Sequence, residues 1–295
     1  MLKDLKLLKE FKVKLEDILN EHIVRIVPLS TSHNSNFKVI SKKKNYFCKL
    51  NSHPTLSLLN ESKQIEIFQK YIRTPKLIYS DESILITNWI TYQENPNTQS
   101  LLGEMLAEIH KIKSCFFGFN FDNNIGLTFQ NNAVGKEVDN WFHFYWKYRF
   151  IYQVELAYIN NHIDKTFLKK LFSTEGRFRK FLDLDFTPSL LHGDLWSGNF
   201  CESKNGPYMI DFAAYYGHRE ADFSLTYMFG GFSDEFYKSY NKIYPIDEGF
   251  KERKPIYMIY HYLNHLNLFG RSYLGGVLNC YQKLLINLPV NKIFQ

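Results

Sequence analysis

The sequence predicts an α+β fold with two lobes, a smaller antiparallel-sheet lobe followed by a larger, mostly helical lobe. Short apolar runs separated by polar turns fill the beginning of the chain, whereas apolar residues at helical spacing begin at Leu101. A polar loop flanked by two short apolar pieces interrupts the helices between Pro188 and Asp211. We therefore expect lobes at residues 1–91 and 92–295.

The first lobe is predicted to begin with an amphipathic helix, because charged residues recur throughout MLKDLKLLKEFKVKLEDIL and leave no apolar signal core. A helix is also predicted at 58–71, ended by Thr74-Pro75. The turn Asn95-Pro96-Asn97 marks the boundary between the lobes. The expected strands are 23–27, 37–40, 46–50, 84–86 and 89–90.

The second lobe is predicted to be helical from the spacing of its apolar residues. One helix carries Leu102, Met105, Leu106 and Ile109, and a long aromatic run at 141–158 indicates another. Two histidines lie on apolar helix faces and are expected in the core, namely His110 and His143.

Composition and charge exclude several classes of protein. The 295 residues are 45% hydrophobic and 22% charged, the balance of an ordinary globular protein, and the net charge of +6 forms no extended basic face. Nucleic-acid and membrane partners are therefore not expected. Four scattered cysteines favour a reducing compartment, which we take to be the cytoplasm, and leave the oligomeric state open.

The polar loop carries the residues that point to chemistry. In LLHGDLWSGN, Asp194 is followed five positions later by Asn199, and Asp211 ends the next apolar piece. Phosphoryl transfer needs a carboxylate to accept the proton of the attacking hydroxyl and oxygen ligands to hold Mg²⁺. Asp194 fits the first role, and Asn199 and Asp211 fit the second. The alternative is that Asp194 and Asn199 merely close turns beside the loop glycines.

A lysine and a glutamate in the first lobe match the other half of this chemistry. Kinase folds place a strand lysine on the α- and β-phosphates of ATP and use a helix glutamate to hold it. Lys49 lies within the predicted strand 46–50, and Glu61 lies near the start of the next helix. Both are also common there for solubility or helix-dipole reasons. Together with the loop, they predict a protein kinase-like fold that binds ATP and Mg²⁺.

Longer segments extend the pattern beyond single residues. They are HGDLWSGN at 192–199, DFAAYYGHREAD at 211–222, MFGGF at 228–232, YLNHLNLFG at 262–270, YLG at 273–275, FG at 117–118, DNNIG at 122–126 and Thr128. In these segments the sequence resembles the fructosamine kinase (ketosamine 3-kinase) family of aminoglycoside phosphotransferase-like kinases. The resemblance covers the second lobe almost completely and the first lobe loosely.

The resemblance implies roles for further residues. Backbone groups of 86–90 would contact adenine, which places Thr87, Asn88 and Trp89 at the nucleotide. Segment 30–36, STSHNSN, stands where such kinases have a glycine-rich phosphate loop, and Asn34 and Ser35 are expected to contact phosphates. The expected substrate-side residues are Trp196, His218, Arg219, Asn264 and His265. For the last four, hydrogen bonds that stabilise helix packing are the alternative.

The resemblance implies an ATP-dependent kinase that phosphorylates the 3-hydroxyl of ketosamines, either small molecules or protein-linked adducts, and so serves deglycation. YYGHREAD favours this activity over that of an aminoglycoside or choline-type phosphotransferase. A catalytically silent nucleotide-binding protein is the third alternative, motivated by the absence of loop glycines. The presence of Lys49, Asp194, Asn199 and Asp211 together argues against it.

Overall fold

The computed structural model describes residues 5–30, 35–51 and 56–286. Its contacts group the chain into two compact units, Met1–Thr98 with Phe200–Asp211, and Gln99–Asn199 with Phe212–Gln295. We call these unit 1 and unit 2. An antiparallel sheet dominates unit 1 and helices dominate unit 2, so the predicted fold class is confirmed. Segment Phe200–Asp211, which the sequence placed in the second lobe, groups with unit 1.

Unit 1 is built on a five-stranded antiparallel sheet in the order β1-β2-β3-β5-β4. Its strands are β1 (Ile23–Ser30), β2 (Ser35–Ser41), β3 (Asn45–Leu50), β4 (Leu77–Ser80) and β5 (Ile84–Asn88), and its helices are α1 (Leu5–Leu19) and α2 (Leu56–Phe68). The predicted strand at 89–90 is wrong, because β5 ends at Asn88. The short strand β4 was not predicted, since its four residues show no clear alternation.

The two faces of this sheet carry different partners. Cys48 in the middle of β3 packs in a core with Phe11 and Leu15 of α1. The next residue, Lys49, points to the opposite face, since successive side chains of a strand alternate. Its cross-strand partner Leu85 packs there against Leu58 and Ile65 of α2. The strand register therefore places Lys49 on the face that α2 covers.

A small hairpin completes unit 1. Its strands β9 (Phe200–Cys201) and β10 (Tyr208–Met209) pair with each other. The Met209 amide donates to the Arg73 carbonyl at 3.0 Å, and the Gln93 amide donates to the Glu202 carbonyl at 3.3 Å. These backbone bonds explain why the hairpin, with Asp211 at its end, belongs to unit 1.

Unit 2 is mostly helical. Its helices are α3 (Thr98–His110), α4 (Trp141–Tyr145), α5 (Tyr152–Ile159), α6 (Lys165–Phe172), α7 (Glu175–Leu182), α8 (Phe223–Met228), α9 (Asp234–Ile243), α10 (Phe250–Phe269) and α11 (Leu274–Ile286). A short hairpin pairs β6 (Asn123–Ile125) with β7 (Thr128–Gln130), and a separate two-stranded sheet pairs β8 (Ser189–Leu191) with β11 (Tyr215–Gly217). Among the described residues, no helix is both long and apolar enough to cross a membrane.

The core of unit 2 is aromatic. Trp141 is fully buried and stacks with Phe144 and Tyr215 at ring-centroid distances of 5.8 and 6.4 Å. A π-helical turn, Trp146–Ile151, joins α4 to α5, so the predicted aromatic helix is continuous but underwound at its centre. The expectation that His143 lies in the core is wrong, because it projects to solvent from a helix whose neighbouring positions are buried.

Helices α3 and α9 approach so closely at Gly103 that no side chain fits. A Cβ atom there would lie 2.2 Å from the Phe236 carbonyl oxygen. We expect Gly103→Ala to lower the free energy of unfolding by about 1–3 kcal/mol, because backbone must move to relieve the overlap. Gly176→Ala in α7 is the control, since nothing lies within 4 Å of its Cβ position. Chemical denaturation should show the control unchanged or stabilised; equal losses in both variants would contradict the close approach.

Candidate active site

Lys49 forms two ion pairs in the interior of unit 1. Its Nζ donates to Glu61 Oε1 at 2.7 Å and also contacts the Asp211 carboxylate. Burial alone would lower the pKa of Lys49, but the charges of Asp211 and Glu61 outweigh it and raise that pKa. Burial raises the pKa of Glu61 against the opposing effect of the Lys49 ammonium. Lys49 is therefore a fixed cation between two carboxylates, and the structure brings these three predicted residues together.

Asp211 adopts an unusual backbone conformation. Its φ of 55° lies in the left-handed region, which costs a residue with a Cβ atom about 1–2 kcal/mol. Aspartate tolerates this region better than most residues. The conformation coincides with the ion pair to Lys49, so backbone strain and a charged contact meet at one residue, as is common at functional sites.

In unit 2, Asp194 and Asn199 lie together on the loop after β8. The Asn199 side-chain Nδ2 donates to the Asp194 backbone carbonyl at 2.7 Å and to its carboxylate Oδ2 at 3.0 Å. The spacing of five residues thus closes a loop in which the amide orients the carboxylate. The turn-closing alternative and the catalytic hypothesis are compatible here, because the bonds that close the turn also orient the Asp194 carboxylate.

A residue that sequence reasoning missed anchors this loop. The buried Asp222 carboxylate accepts hydrogen bonds from the backbone amides of His192 and Gly193 at 2.7 and 2.8 Å. His110 Nε2 lies 3.0 Å from Asp222, and His110 Nδ1 lies 2.8 Å from the Tyr240 hydroxyl. Burial lowers the pKa of His110, so a neutral ring donates through Nε2 and accepts at Nδ1. His110 is buried as expected, but its bond to Asp222 had no signal in the sequence.

The predicted nucleotide residues lie at the end of β5. The Thr87 side chain is buried, and the amides of Asn88 and Trp89 donate to the carbonyls of Lys76 and Asn45 at 3.0 and 3.2 Å. Because both amides are engaged within the sheet, these residues would have to meet adenine through carbonyls or side chains. Their role stays a prediction.

The predicted phosphate loop is only partly described. Ser35 is the first residue of β2 and pairs with Leu50. Its neighbour in the strand, Asn36, lies opposite Lys49. Asn34 lies outside the described residues, so its role stays a prediction.

Two of the predicted substrate residues are deeply buried and bonded within unit 2. His218 Nδ1 lies 2.7 Å from the Tyr257 hydroxyl, and its ring stacks on Phe186 at 3.8 Å. Arg219 donates to the Tyr240 hydroxyl at 3.1 Å and pairs with Asp247 at 2.6 Å. These contacts support the packing alternative for both residues.

The other three differ in exposure. Asn264 is buried and accepts a bond from Gln153 at 3.1 Å, which again supports packing. His265 is partly buried, and its ring lies 4.9 Å from that of Phe229. Phe229 also meets Trp196, which is 39% exposed, at 6.3 Å. Trp196 and His265 thus belong to one aromatic patch beside the Asp194 loop, where a substrate role stays a prediction.

A known protein family matches most of the chain. The profile of the fructosamine kinase family matches residues 16–287. The chain belongs to the fructosamine kinase family. The resemblance stated from the motifs is therefore confirmed, as is the predicted enzyme class, a phosphotransferase with an alcohol acceptor. Membership of a kinase family also implies use of ATP.

Relatives in this family come from plants and bacteria. The chain is 38% identical over 200 residues to the chloroplastic protein-ribulosamine 3-kinase of Arabidopsis thaliana, a match that spans 67% of this chain and 60% of the relative. It is 32% identical over 274 residues to a probable ketoamine kinase of Enterococcus faecium, covering 90% of this chain and 96% of that protein.

Solved structures support the fold. A Thermobifida fusca protein provisionally described as a fructosamine-3-kinase superposes with a TM-score of 0.85 at 21% identity, covering 93% of this chain and 98% of its own. The streptomycin–ATP–APH(2″)-IIa ternary complex gives a TM-score of 0.64 at 15% identity, covering 92% and 95%. At these identities the similarity establishes the kinase-like fold of this fructosamine kinase family member and nothing finer.

Buried His218 makes the stability of this family member sensitive to acid. Burial lowers the pKa of His218 to about 4 from its ordinary 6.5. Below pH 6.5 the unfolded chain therefore binds a proton that the folded chain refuses, so stability falls as the pH drops from 6.5 towards 4. Between pH 7 and pH 5 this one group should account for a loss of about 2 kcal/mol.

His218→Gln tests this prediction by chemical denaturation at both pH values. The variant should lose less stability on acidification than the unmodified protein, whatever its stability at pH 7. His143→Gln is the control, because that side chain is exposed. Equal acid losses in all three proteins would show that His218 titrates normally in the folded state.

Proposed function

We propose that this protein transfers the γ-phosphoryl group of ATP to the 3-hydroxyl of a ketosamine. The acceptor oxygen forms a new bond to the γ-phosphorus, the bond from that phosphorus to the β–γ bridging oxygen breaks, and ADP leaves. The hydroxyl proton passes to Asp194. The observation that carries the kinase assignment is buried Lys49, held by Glu61 and Asp211, in a family of known chemistry.

In this proposal Lys49 contacts the α- and β-phosphates of ATP. Its cationic form suits that task, because its neighbours raise its pKa. Glu61 restricts the ammonium to one position through a 2.7 Å bond. Catalysis of phosphoryl transfer depends mainly on positioning and charge stabilisation, so a preorganised lysine contributes without taking part in bond making.

Asp211 and Asn199 would hold Mg²⁺. A carboxylate and an amide supply the oxygen ligands that this ion takes, and Mg²⁺ typically uses only one or two protein carboxylates beside phosphate and water. The residues present therefore fit the ion. When bound, it would neutralise charge on the phosphates.

Asp194 is the proposed general base. Its carboxylate is oriented by the Asn199 amide, and the backbone before it is fixed by Asp222. Such preorganisation lets a carboxylate accept a proton in one defined direction. Trp196, two residues further on, and His265 offer aromatic surface for the acceptor.

The ketosamine assignment rests on the relatives. The Arabidopsis relative is named a protein-ribulosamine 3-kinase and the Enterococcus relative a probable ketoamine kinase. We infer that ketosamines, either small molecules or protein-linked, are the acceptor here as well. Cytoplasmic location is part of the proposal, supported by four free thiols, although the plant relatives are named chloroplastic.

An ADP-release assay with ribulose-lysine and fructose-lysine tests the activity. Asp194→Asn should lower kcat by several orders of magnitude while leaving the fold intact, because the base is lost but no packing changes. Asp139→Asn, which alters an exposed aspartate, should retain full turnover.

Three results would redirect the proposal. Near-normal turnover of Asp194→Asn would remove it as the base. Turnover of aminoglycosides or choline, but not of ketosamines, would establish the second function. ATP binding without ADP release on any acceptor would indicate the silent nucleotide-binding protein.

A further inference from the structure

Arg149 is a buried cation in unit 2 whose hydrogen bonds go to uncharged groups. It lies on the π-helical turn, is 1% exposed, and forms no ion pair with a carboxylate among the described residues. Its Nη1 donates to the Asn131 carbonyl at 2.6 Å and its Nη2 to Asn132 Oδ1 at 2.5 Å. Its guanidinium also stacks over Tyr215 at 4.1 Å. A buried charge without a counter-charge is costly, so its presence calls for a reason beyond packing.

From Arg149 a chain of side-chain amides leads to the hairpin of β6 and β7. Asn132 Nδ2 donates to Asn123 Oδ1 at 3.0 Å, and Gln130 Nε2 donates to the same oxygen at 2.9 Å. The Tyr260 hydroxyl donates to Gln130 Oε1 at 3.1 Å. All of these side chains are buried. We call Asn123, Gln130 and Asn132 the amide relay.

The amide relay ends on backbone that touches the Asp194 loop. Asn123 Nδ2 donates to the Ala214 carbonyl at 2.8 Å, and Gln130 Nε2 donates to the Ala213 carbonyl at 3.1 Å. The Ala213 amide in turn donates to the His192 carbonyl at 2.9 Å. Contact at this point is so close that a Cβ atom on Gly193 would lie 1.9 Å from the Ala213 oxygen. The relay is thus connected to the loop through the backbone of Ala213 and Ala214.

Arg149 fixes one end of the relay, and backbone carbonyls, which can only accept, fix the other end. An amide can present its oxygen or its nitrogen, so a chain of amides alone has two nearly equivalent orientations. A guanidinium only donates. It therefore holds the Asn132 oxygen towards itself and turns the Asn132 nitrogen towards Asn123. Asn123 accepts that bond at its oxygen and donates its nitrogen to the Ala214 carbonyl, so the donors and acceptors at the two ends of the relay agree.

We propose that Arg149 is a positioning residue for catalysis, which holds one end of the amide relay and, through Ala213 and Ala214, supports the Asp194 loop. The effect on turnover rests on the proposed kinase activity, but the effect on the loop does not. No residue of the relay touches the reacting atoms in this proposal. The role follows from donor-only chemistry, so lysine should substitute for Arg149 better than glutamine.

The first test compares three substitutions at Arg149 in the full-length protein. Arg149→Met, which keeps an apolar stem but cannot donate, should lower kcat more than tenfold with the KM for ATP changed less than twofold. Arg149→Lys should recover more of kcat than Arg149→Gln. Arg177→Met is the matched control, because Arg177 is also buried and stacks over Phe181 at 4.1 Å. Equal kcat in Arg149→Met and Arg177→Met would overturn the proposal. A higher kcat in Arg149→Gln than in Arg149→Lys would overturn it as well.

A second measurement does not depend on kinase activity. Native-state hydrogen exchange at the Ala213 amide should speed up more than tenfold in Arg149→Met and stay unchanged in Arg177→Met. Asn132→Leu, which breaks the next link, should have the same effect and serves if Arg149→Met does not fold. Unchanged exchange at Ala213 in both relay variants would overturn the proposal. If the unmodified protein phosphorylates no ketosamine, the exchange result still decides whether the relay holds the loop.

The double variant Arg149→Met/Asn132→Leu separates a relay from two independent contacts. When two residues act in one chain of contacts, breaking either contact removes the whole effect, so breaking the second adds nothing. The kcat loss in the double variant should therefore match the larger single loss. A loss equal to the product of the two single losses would show that Arg149 acts by another route.

Discussion

The Asp194 loop depends on one buried carboxylate. Asp222 accepts the amides of His192 and Gly193 and is itself held by His110. Hydrogen bonds to a charged group are worth about 1.5–3 kcal/mol each, and an unpaired buried carboxylate would cost more than that. The same hydrogen bonds satisfy the loop amides and the buried carboxylate. The loop therefore has one arrangement in which the Asp222 carboxylate keeps its partners. That arrangement requires glycine at position 193, because Gly193 has a φ of 82° and leaves no space for a Cβ atom.

Unit 1 also contains a buried charged residue, in this case a cation. Lys49 is removed from water by the sheet and α2, and two carboxylates replace its solvation. One of them, Glu61, comes from the covering helix, while the other, Asp211, comes from the hairpin that joins the unit late in the chain. The site is therefore assembled from three separate segments of sequence. An apolar substitution at Lys49 would leave Glu61 and Asp211 facing each other, so the cation also stabilises their proximity.

Hydrogen bonds between neutral polar side chains fix the positions of helices in unit 2. Its aromatic core supplies apolar area, but aromatic packing alone tolerates small shifts of one helix against another. Amides and hydroxyls with fixed partners do not, because a shifted partner leaves a buried polar group unsatisfied. The contacts of Gln153 with Asn264 and of His218 with Tyr257 illustrate this between distant segments. At Asn264 and His218, these contacts favour helix packing over substrate contact.

The sequence alone determined the fold class, through the periodicity of its apolar residues, and the family, through the resemblance of its longer motifs. The spacing of five residues placed Asp194 and Asn199 on one loop. The sequence also indicated Lys49 and Glu61, since strand and helix follow each other directly. It did not indicate Asp222 or the connection from Arg149 to Ala213, which depend on bonds between residues 29, 17 and 83 positions apart. Nor did it distinguish substrate contact from packing at His218 and Arg219. Burial and hydrogen-bond partners favour packing at both residues, and these properties arise only when distant segments fold against each other.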